Sequence, residues 1–95
     1  MNTIATTYTD QQLRILVEEF IAMQRSEFTF KGICSYILYR AMEEGRTAGN
    51  ELYESKQLEQ QDCERVKSIL QKIVIEGRIT TASVSYEDET VFVKK

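Results

Sequence analysis

The feature that most constrains this chain is an apolar pattern near its C-terminal end that stops at a glycine. Its apolar residues recur at the spacing of one helix face, and they are Val66, Leu70, Ile73 and Val74. Asp62 precedes the pattern and is the expected N-cap, because its carboxylate can accept a hydrogen bond from a free amide of the first turn. Gly77 follows the pattern and suits the left-handed conformation that ends many helices. We therefore predict a helix over about 62–76, with its apolar face buried in the core.

The residues after this glycine change to a β-prone pattern. Residues 79–86 are rich in Ile, Thr, Val and Tyr, and residues 90–93 read Thr-Val-Phe-Val. An acidic run at 87–89 separates the two stretches. The pattern predicts a β-hairpin that directly follows the helix.

This succession resembles the C-terminal half of a winged helix-turn-helix domain. The family's third helix typically has a branched aliphatic residue, a leucine four positions on and an aliphatic three further. A glycine follows, and then an aliphatic where the first wing strand begins. The matching residues here are Val66, Leu70, Ile73, Gly77 and Ile79. The resemblance implies an α+β fold, with a three-helix core, a short first strand and a C-terminal two-stranded β-hairpin wing. Because the family includes DNA-binding and protein-interaction modules, the fold alone does not settle the function.

The chain is expected to form one domain. Its 95 residues are too few to divide a buried surface between two cores. Residues 1–8 show no periodicity, so we expect a loose N-terminal arm, with the domain itself over 9–95. Thr9 and Gln12 have the spacing of a capping box at the start of the first helix. That helix would bury Leu13, Leu16, Val17, Phe20 and Ile21.

The middle of the chain departs from the family pattern. Residues 27–30 alternate apolar and polar, which predicts a short strand that pairs with the wing. A second helix is expected over about 31–44, and Gly45 would end it. A typical helix-turn-helix joins its helices with about three or four residues. Residues 45–61 are much longer than that, so we expect an insertion there, or a third helix that starts near Ser55.

The composition argues against several classes of protein. The chain has no histidine, and Cys34 and Cys63 lack Cys-x-x-Cys spacing, so we expect no metal site and no cofactor. Reduced thiols are the simpler interpretation of the cysteines, and a disulfide is the alternative. The sequence has no Gly-rich phosphate loop or nucleophile elbow, so we expect no enzyme. With no apolar run of membrane-spanning length and no signal-peptide pattern, we expect a cytoplasmic protein without membrane contact.

The leading function hypothesis is a small DNA-associated regulatory protein. By the resemblance, the exposed face at the start of the third helix would enter the major groove of double-stranded DNA. The matching positions are Glu64, Arg65, Lys67, Ser68, Gln71 and Lys72. Arg65 would read guanine and Gln71 adenine, while the lysines would hold phosphates. Carboxylates on the same turn offset these cations, so a solvated face that serves solubility alone is the alternative.

The competing hypothesis is a protein-interaction winged helix with no nucleic-acid role. The net charge of −3 and an acidic wing tip would repel phosphates, whereas both suit a basic protein surface. Aromatic and charged residues of the second helix would join that tip in binding a partner. The proposed partner residues are Tyr36, Tyr39, Arg40, Glu87, Asp88 and Glu89. The simpler interpretation of the tyrosines is that they cover the edges of the core.

A homodimer is a further expectation for this chain. Three aliphatic or sulfur-containing residues lie off the buried helix stripes, and they are Ile15, Met23 and Ile75. Exposed apolar side chains of this kind are candidate contacts between subunits.

Overall fold

The computed structural model describes residues 3–48, 57–82 and 90–95 of the chain. Its helices are α1 (Asp10–Met23), α2 (Phe30–Glu43) and α3 (Gln60–Ile75). Its strands are β1 (Thr3–Ile4), β2 (Glu27–Thr29), β3 (Gln57–Leu58), β4 (Ile79–Thr81) and β5 (Val91–Lys94). Helices and strands therefore alternate along most of the chain before it closes with two strands.

The first two helices begin at side-chain caps. At the start of α1, Thr9 Oγ1 accepts a hydrogen bond from the Gln12 amide at 3.2 Å, and Gln12 Oε1 accepts one from the Thr9 amide at 2.9 Å. This pair confirms the predicted capping box. At the start of α2, Thr29 Oγ1 accepts a hydrogen bond from the Gly32 amide at 3.0 Å. The observed α2 lies one residue before the predicted range at each end.

Two glycines end helices where the sequence predicts. Gly45 follows α2 with φ of 69°, and Gly77 follows α3 with φ of 81°. A side chain is disfavoured at positive φ, whereas glycine adopts it freely. Strand β4 begins at Ile79, two residues after Gly77, and contacts α3.

A three-stranded antiparallel sheet closes the domain, in the order β2, β5, β4. Phe28 of β2 lies opposite Phe92 of β5, and their rings stack with centroids 5.3 Å apart. Thr80 of β4 lies opposite Val93 of β5. The predicted pairing of a short first strand with a two-stranded wing is thus confirmed. The three helices and this sheet form a small α+β domain that is compatible with the predicted winged-helix-like arrangement. The predicted wing tip at 83–89 lies outside the described residues.

The apolar stripe of α3 lies in the core as predicted. Val66, Leu70 and Ile73 are at most 1% exposed. They belong to one apolar cluster with residues of the other two helices, including Leu13, Val17, Ile33 and Ile37. Val74 is only half-buried at the edge of this cluster, so it is available to line a surface feature.

The N-terminal segment is ordered over its described residues, which corrects the expectation of a loose arm over 1–8. Strand β1 pairs in parallel with β3, and Thr6 forms an antiparallel bridge with Thr47. Ile4 is 2% exposed and Tyr8 is 6% exposed. This strand has no signature in the sequence, because two residues are too few to show an alternating pattern.

This segment also holds both described ends of the expected insertion at 45–61. On one side the Thr7 amide donates to Arg46 O at 2.7 Å, and the Ala48 amide donates to Ala5 O at 2.9 Å. On the other side the Glu59 amide donates to Ile4 O at 3.0 Å. The connection between α2 and α3 is therefore fixed at both ends by the N-terminal segment, and residues 49–56 lie outside the described residues.

Asp62 is not the N-cap that the sequence predicts. Helix α3 begins at Gln60, and its N-cap Glu59 makes no side-chain capping hydrogen bond. Asp62 is 4% exposed and accepts a hydrogen bond from the Thr6 amide at 2.8 Å. It accepts a second from Arg65 Nη1, also at 2.8 Å. The buried carboxylate is thus used to join the N-terminal segment to α3 rather than to cap the helix.

Candidate interaction face on helix α3

Most positions predicted to contact DNA share the exposed side of α3. The exposed residues are Glu64, Lys67, Ser68, Gln71 and Lys72, and Ile75 continues the same side one turn on. Steps of three or four residues place them on one helix face. We call these residues the α3 face. The predicted exposure of this surface is therefore confirmed for all of the DNA-contact positions except Arg65.

Arg65 turns away from this face and binds the N-terminal part of the domain. Its Nε donates to Asp10 Oδ1 at 2.8 Å, its Nη1 donates to Asp62, and its Nη2 donates to Tyr8 O at 2.6 Å. Its side chain is 27% exposed. Reading a guanine would require this guanidinium to break all of these bonds, so the structure places Arg65 apart from the other candidate residues.

The charges of the α3 face partly cancel. Lys67 Nζ lies 3.7 Å from a carboxylate oxygen of Glu64, and both side chains are more than half exposed. The same ammonium lies 5.6 Å from the centre of the Phe30 ring, within the range of a cation–π contact. Lys72 is exposed and forms no ion pair with any residue that the structure describes. The face therefore has a small excess of positive charge rather than a continuous basic surface.

An open groove of about 410 Å³ runs between α3 and the sheet. One wall comes from α3 and consists of Lys67, Leu70, Gln71, Val74 and Ile75. The opposite wall consists of Phe30, Thr81, Thr90 and Phe92. Most of these side chains are apolar, and the polar groups are an ammonium, an amide and two hydroxyls. The groove can therefore bury apolar groups of a ligand while its edge remains polar.

Ile75 is the most exposed large apolar side chain of the described residues, at 84%. It lies on the α3 face and also lines the groove. Ile15 and Met23 are exposed as well, at 51% and 58%, but both lie on α1 and line no part of the groove. Ile75 is thus the one predicted exposed aliphatic that continues into a larger apolar surface.

Sequence reasoning found only one wall of this groove. The helical pattern of α3 predicts the exposed positions Lys67, Gln71 and Ile75. The local pattern around Phe30 and Phe92 predicts only strands. Phe30 in fact begins α2, and its amide donates to Thr90 O at 3.0 Å, which brings the start of α2 to the wing. The two walls meet because β2 pairs with β5, a contact between distant parts of the chain.

A ring of two arginines and two glutamates fixes the end of α3 where Ile75 lies. Arg14 bonds Glu18 at 3.1 Å and Glu76 at 3.0 Å. Arg78 bonds Glu18 and lies 3.5 Å from Glu76. Hydrogen bonds from Arg78 and then Arg14 lower the pKa of the Glu18 carboxyl, although its partial burial acts in the opposite direction. The ring joins α1 to the turn after α3 and so helps to position the groove.

The other predicted partner surface is used largely within the domain. Arg40 Nη1 donates to Glu19 Oε1 at 2.9 Å and to the Tyr36 hydroxyl oxygen at 2.8 Å. The Tyr36 ring also packs on Phe20, with centroids 5.3 Å apart. Tyr39 remains 61% exposed. These contacts join α1 to α2, and the acidic residues Glu87, Asp88 and Glu89 that were to complete this surface lie outside the described residues.

The cysteines are free and half-buried. Burial raises the pKa of the Cys34 thiol and of the Cys63 thiol, so both remain protonated near neutral pH. Over residues 3–48, 57–82 and 90–95, no three His, Cys, Asp or Glu side chains are grouped to hold a metal ion. In the same ranges, no helix is long and apolar enough to cross a membrane.

Comparison with known proteins finds no relative of this chain. No protein-family model, curated protein or solved structure matches it.

Proposed function

We propose that this domain is a protein-interaction module that binds its partner through the α3 face and the adjoining groove. The observation that carries the proposal is Ile75, which is 84% exposed at the edge of an apolar groove. A single exposed aliphatic residue is ordinary on a protein surface. One that continues into an apolar groove offers contiguous surface, and burying that surface stabilises a complex.

The charges of the α3 face also support a protein partner. Binding to DNA draws most of its affinity from cations that neutralise phosphates. Here Arg65 is bonded within the domain, and the charge of Lys67 is partly offset by the Glu64 carboxylate beside it. Double-stranded DNA is the competing function, because Gln71 and Lys72 are exposed on the same face. The two functions differ in what Ile75 would touch, since a protein would cover this side chain and a phosphate would not.

Site-specific photo-crosslinking tests the proposal directly. The crosslinking amino acid benzoylphenylalanine is placed at position 75 in the full chain, expressed in its native cells. The matched control carries it at position 15, which is exposed on α1. After irradiation, adducts are separated into protein and nucleic acid and identified by mass spectrometry. We expect the same protein adduct in repeated experiments at position 75, and we expect that adduct to be missing at position 15.

The outcomes separate the two functions. Nucleic-acid adducts at position 75, together with binding to random duplex DNA that Lys72→Glu abolishes, would replace the proposal with the DNA function. Equal adducts at positions 75 and 15 would overturn it too, because the α3 face would then be no different from any other exposed surface.

A further inference from the structure

We infer that the groove binds an amphipathic helix with aliphatic anchors and acidic flanks, laid alongside α3. This inference rests on the proposed protein-interaction function and specifies the chemistry of the partner. Three properties of the groove lead to it: its length, its apolar lining and the charge of Lys67.

The length of the groove fits two turns of a helix. Its α3 wall extends from Lys67 to Ile75, a rise of about 12 Å at 1.5 Å per residue. Anchors at i, i+3 or i+4, and i+7 of a partner helix span a similar distance. Such a helix can therefore place successive anchors against Val74 and Ile75 while it runs beside α3.

The lining requires apolar anchors. Phe30 and Phe92 form the wall opposite α3, and Val74 and Ile75 lie across from them. A phosphate backbone would leave these side chains in contact with a charged and hydrated chain, which gives no hydrophobic gain. Leucine or isoleucine side chains of a partner would instead bury the exposed parts of Phe30, Val74 and Ile75. The lining thus favours a protein over nucleic acid as the partner, even though the Lys67 ammonium is part of it.

The charge at the groove favours acidic flanks. Lys67 is the one charged residue among the lining residues that the structure describes. Its side chain is 55% exposed. Glu64 is the one acidic residue of the α3 face, and it already contacts Lys67. A carboxylate of a partner would meet the Lys67 ammonium here, although the whole chain has a net charge of −3.

A set of synthetic helical peptides provides the test, with the full chain as the binding protein. The first peptide has leucine at i, i+3, i+4 and i+7 and glutamate on its flanks. The second replaces the flanking glutamates with lysine, and the third replaces the leucines with serine. Each is labelled with fluorescein, and its affinity is measured by fluorescence anisotropy. We expect the acidic leucine peptide to bind at least about tenfold more tightly than either of the others.

Substitutions in the groove show where the peptide binds. Ile75→Gln should weaken binding by about tenfold or more, because it would remove the most exposed apolar contact of the groove. Ile15→Gln makes the same change on exposed α1 and should leave the affinity unchanged. Lys67→Glu should shift the preference toward the lysine-flanked peptide, whereas the control Arg25→Glu should not. Equal unfolding midpoints in urea would show that the variants remain folded.

Several results would overturn the inference. Equal affinity for the acidic and basic peptides would show that Lys67 does not select an acidic partner. An Ile75→Gln effect no larger than that of Ile15→Gln would show that the peptide does not bind in the groove. Absence of binding by all three peptides would also overturn it. If position 75 still crosslinks to a protein in that case, the partner chemistry is wrong and the proposed function stands. If position 75 gives no such adduct, both fail.

Discussion

Replacing Asp62 with asparagine tests whether this residue joins the N-terminal segment to α3 or only caps the helix. The carboxylate is 4% exposed and accepts hydrogen bonds from the Thr6 amide and from Arg65. Hydrogen bonds to a charged group contribute about 1.5 to 3 kcal/mol, and neutral ones about 0.5 to 1.5 kcal/mol. The asparagine side chain would keep the shape of the aspartate, but it has one acceptor oxygen instead of two, so it can accept only one of these hydrogen bonds and would turn its NH2 group toward the other donor. Losing a hydrogen bond to a charged group costs about 1.5 to 3 kcal/mol. We therefore expect Asp62→Asn to lower the free energy of unfolding by about 2 kcal/mol.

Urea unfolding measures this difference. With an m-value of about 2 kcal/mol per molar, the midpoint should fall by about 1 M at constant m. Asp10→Asn is the matched control, because Asp10 also bonds Arg65 but its side chain is 84% exposed. It should change stability by less than about 1 kcal/mol. A double-mutant cycle with Arg65→Gln should give a coupling of about 0.5 kcal/mol or more.

One result would refute this reasoning. Asparagine is as good an N-cap as aspartate. If Asp62→Asn leaves the midpoint unchanged, the carboxylate contributes no more than a cap would, and its hydrogen bonds from the Thr6 amide and from Arg65 do not stabilise the fold.

The core, the ion-pair ring and the turn after α3 can each be tested in the same way. Leu70→Ala should cost about 2 to 5 kcal/mol as a core truncation, whereas Lys67→Ala should stay within about 0.5 kcal/mol; similar urea midpoints for the two variants would contradict the assigned core. Because the pKa of Glu18 is lowered in the folded state, its contribution is present at neutral pH and is lost as the pH falls through that pKa. Stability should therefore decline below about pH 5, and Glu18→Gln should flatten that decline, whereas identical pH profiles would exclude the ring as its cause. Gly77→Ala should cost about 1 to 2 kcal/mol because φ is positive there, and Gly77→Asn should cost less; equal losses would point to a different reason for the glycine.

Local signals predicted most of the fold. The capping box at Thr9, the glycine stops at Gly45 and Gly77, and the apolar stripe of α3 each depend on residues a few positions apart. Such patterns follow from helix geometry and from backbone conformation, which the sequence specifies directly. The wing could be predicted because β-prone residues come immediately after the glycine that ends α3.

The errors involve contacts between distant residues. Thr6 and Asp62 are separated by 56 positions, and Arg65 reaches back 57 positions to Tyr8. A buried carboxylate and a surface one look the same in a sequence, so the local pattern predicts a helix cap at Asp62 and a DNA contact at Arg65. The spacing of Asp62 and Arg65, three residues apart on one helix, was the available sign that they pair.

The candidate groove was predictable only on its helical side. Ile75 was identified as an exposed residue because it falls off the apolar stripe. Phe92 and Phe30 join it only after β5 pairs with β2, and nothing in their local sequence indicates a shared surface. The pairing of β2 with β5 therefore determines the shape of the groove. The helical pattern of α3 determines which of its residues are exposed to line the groove.

The placement of β1 has a consequence for the order in which the chain folds during synthesis. Residues 3–8 leave the ribosome well before their partners at 46–48 and 57–65. Contacts so far apart in sequence form slowly, because a long loop must close before any of them forms. The segment can therefore pair with residues 46–48 before α3 has been translated, whereas its contacts with residues 57–65 must wait for α3, and their formation marks the point at which the helical core is complete.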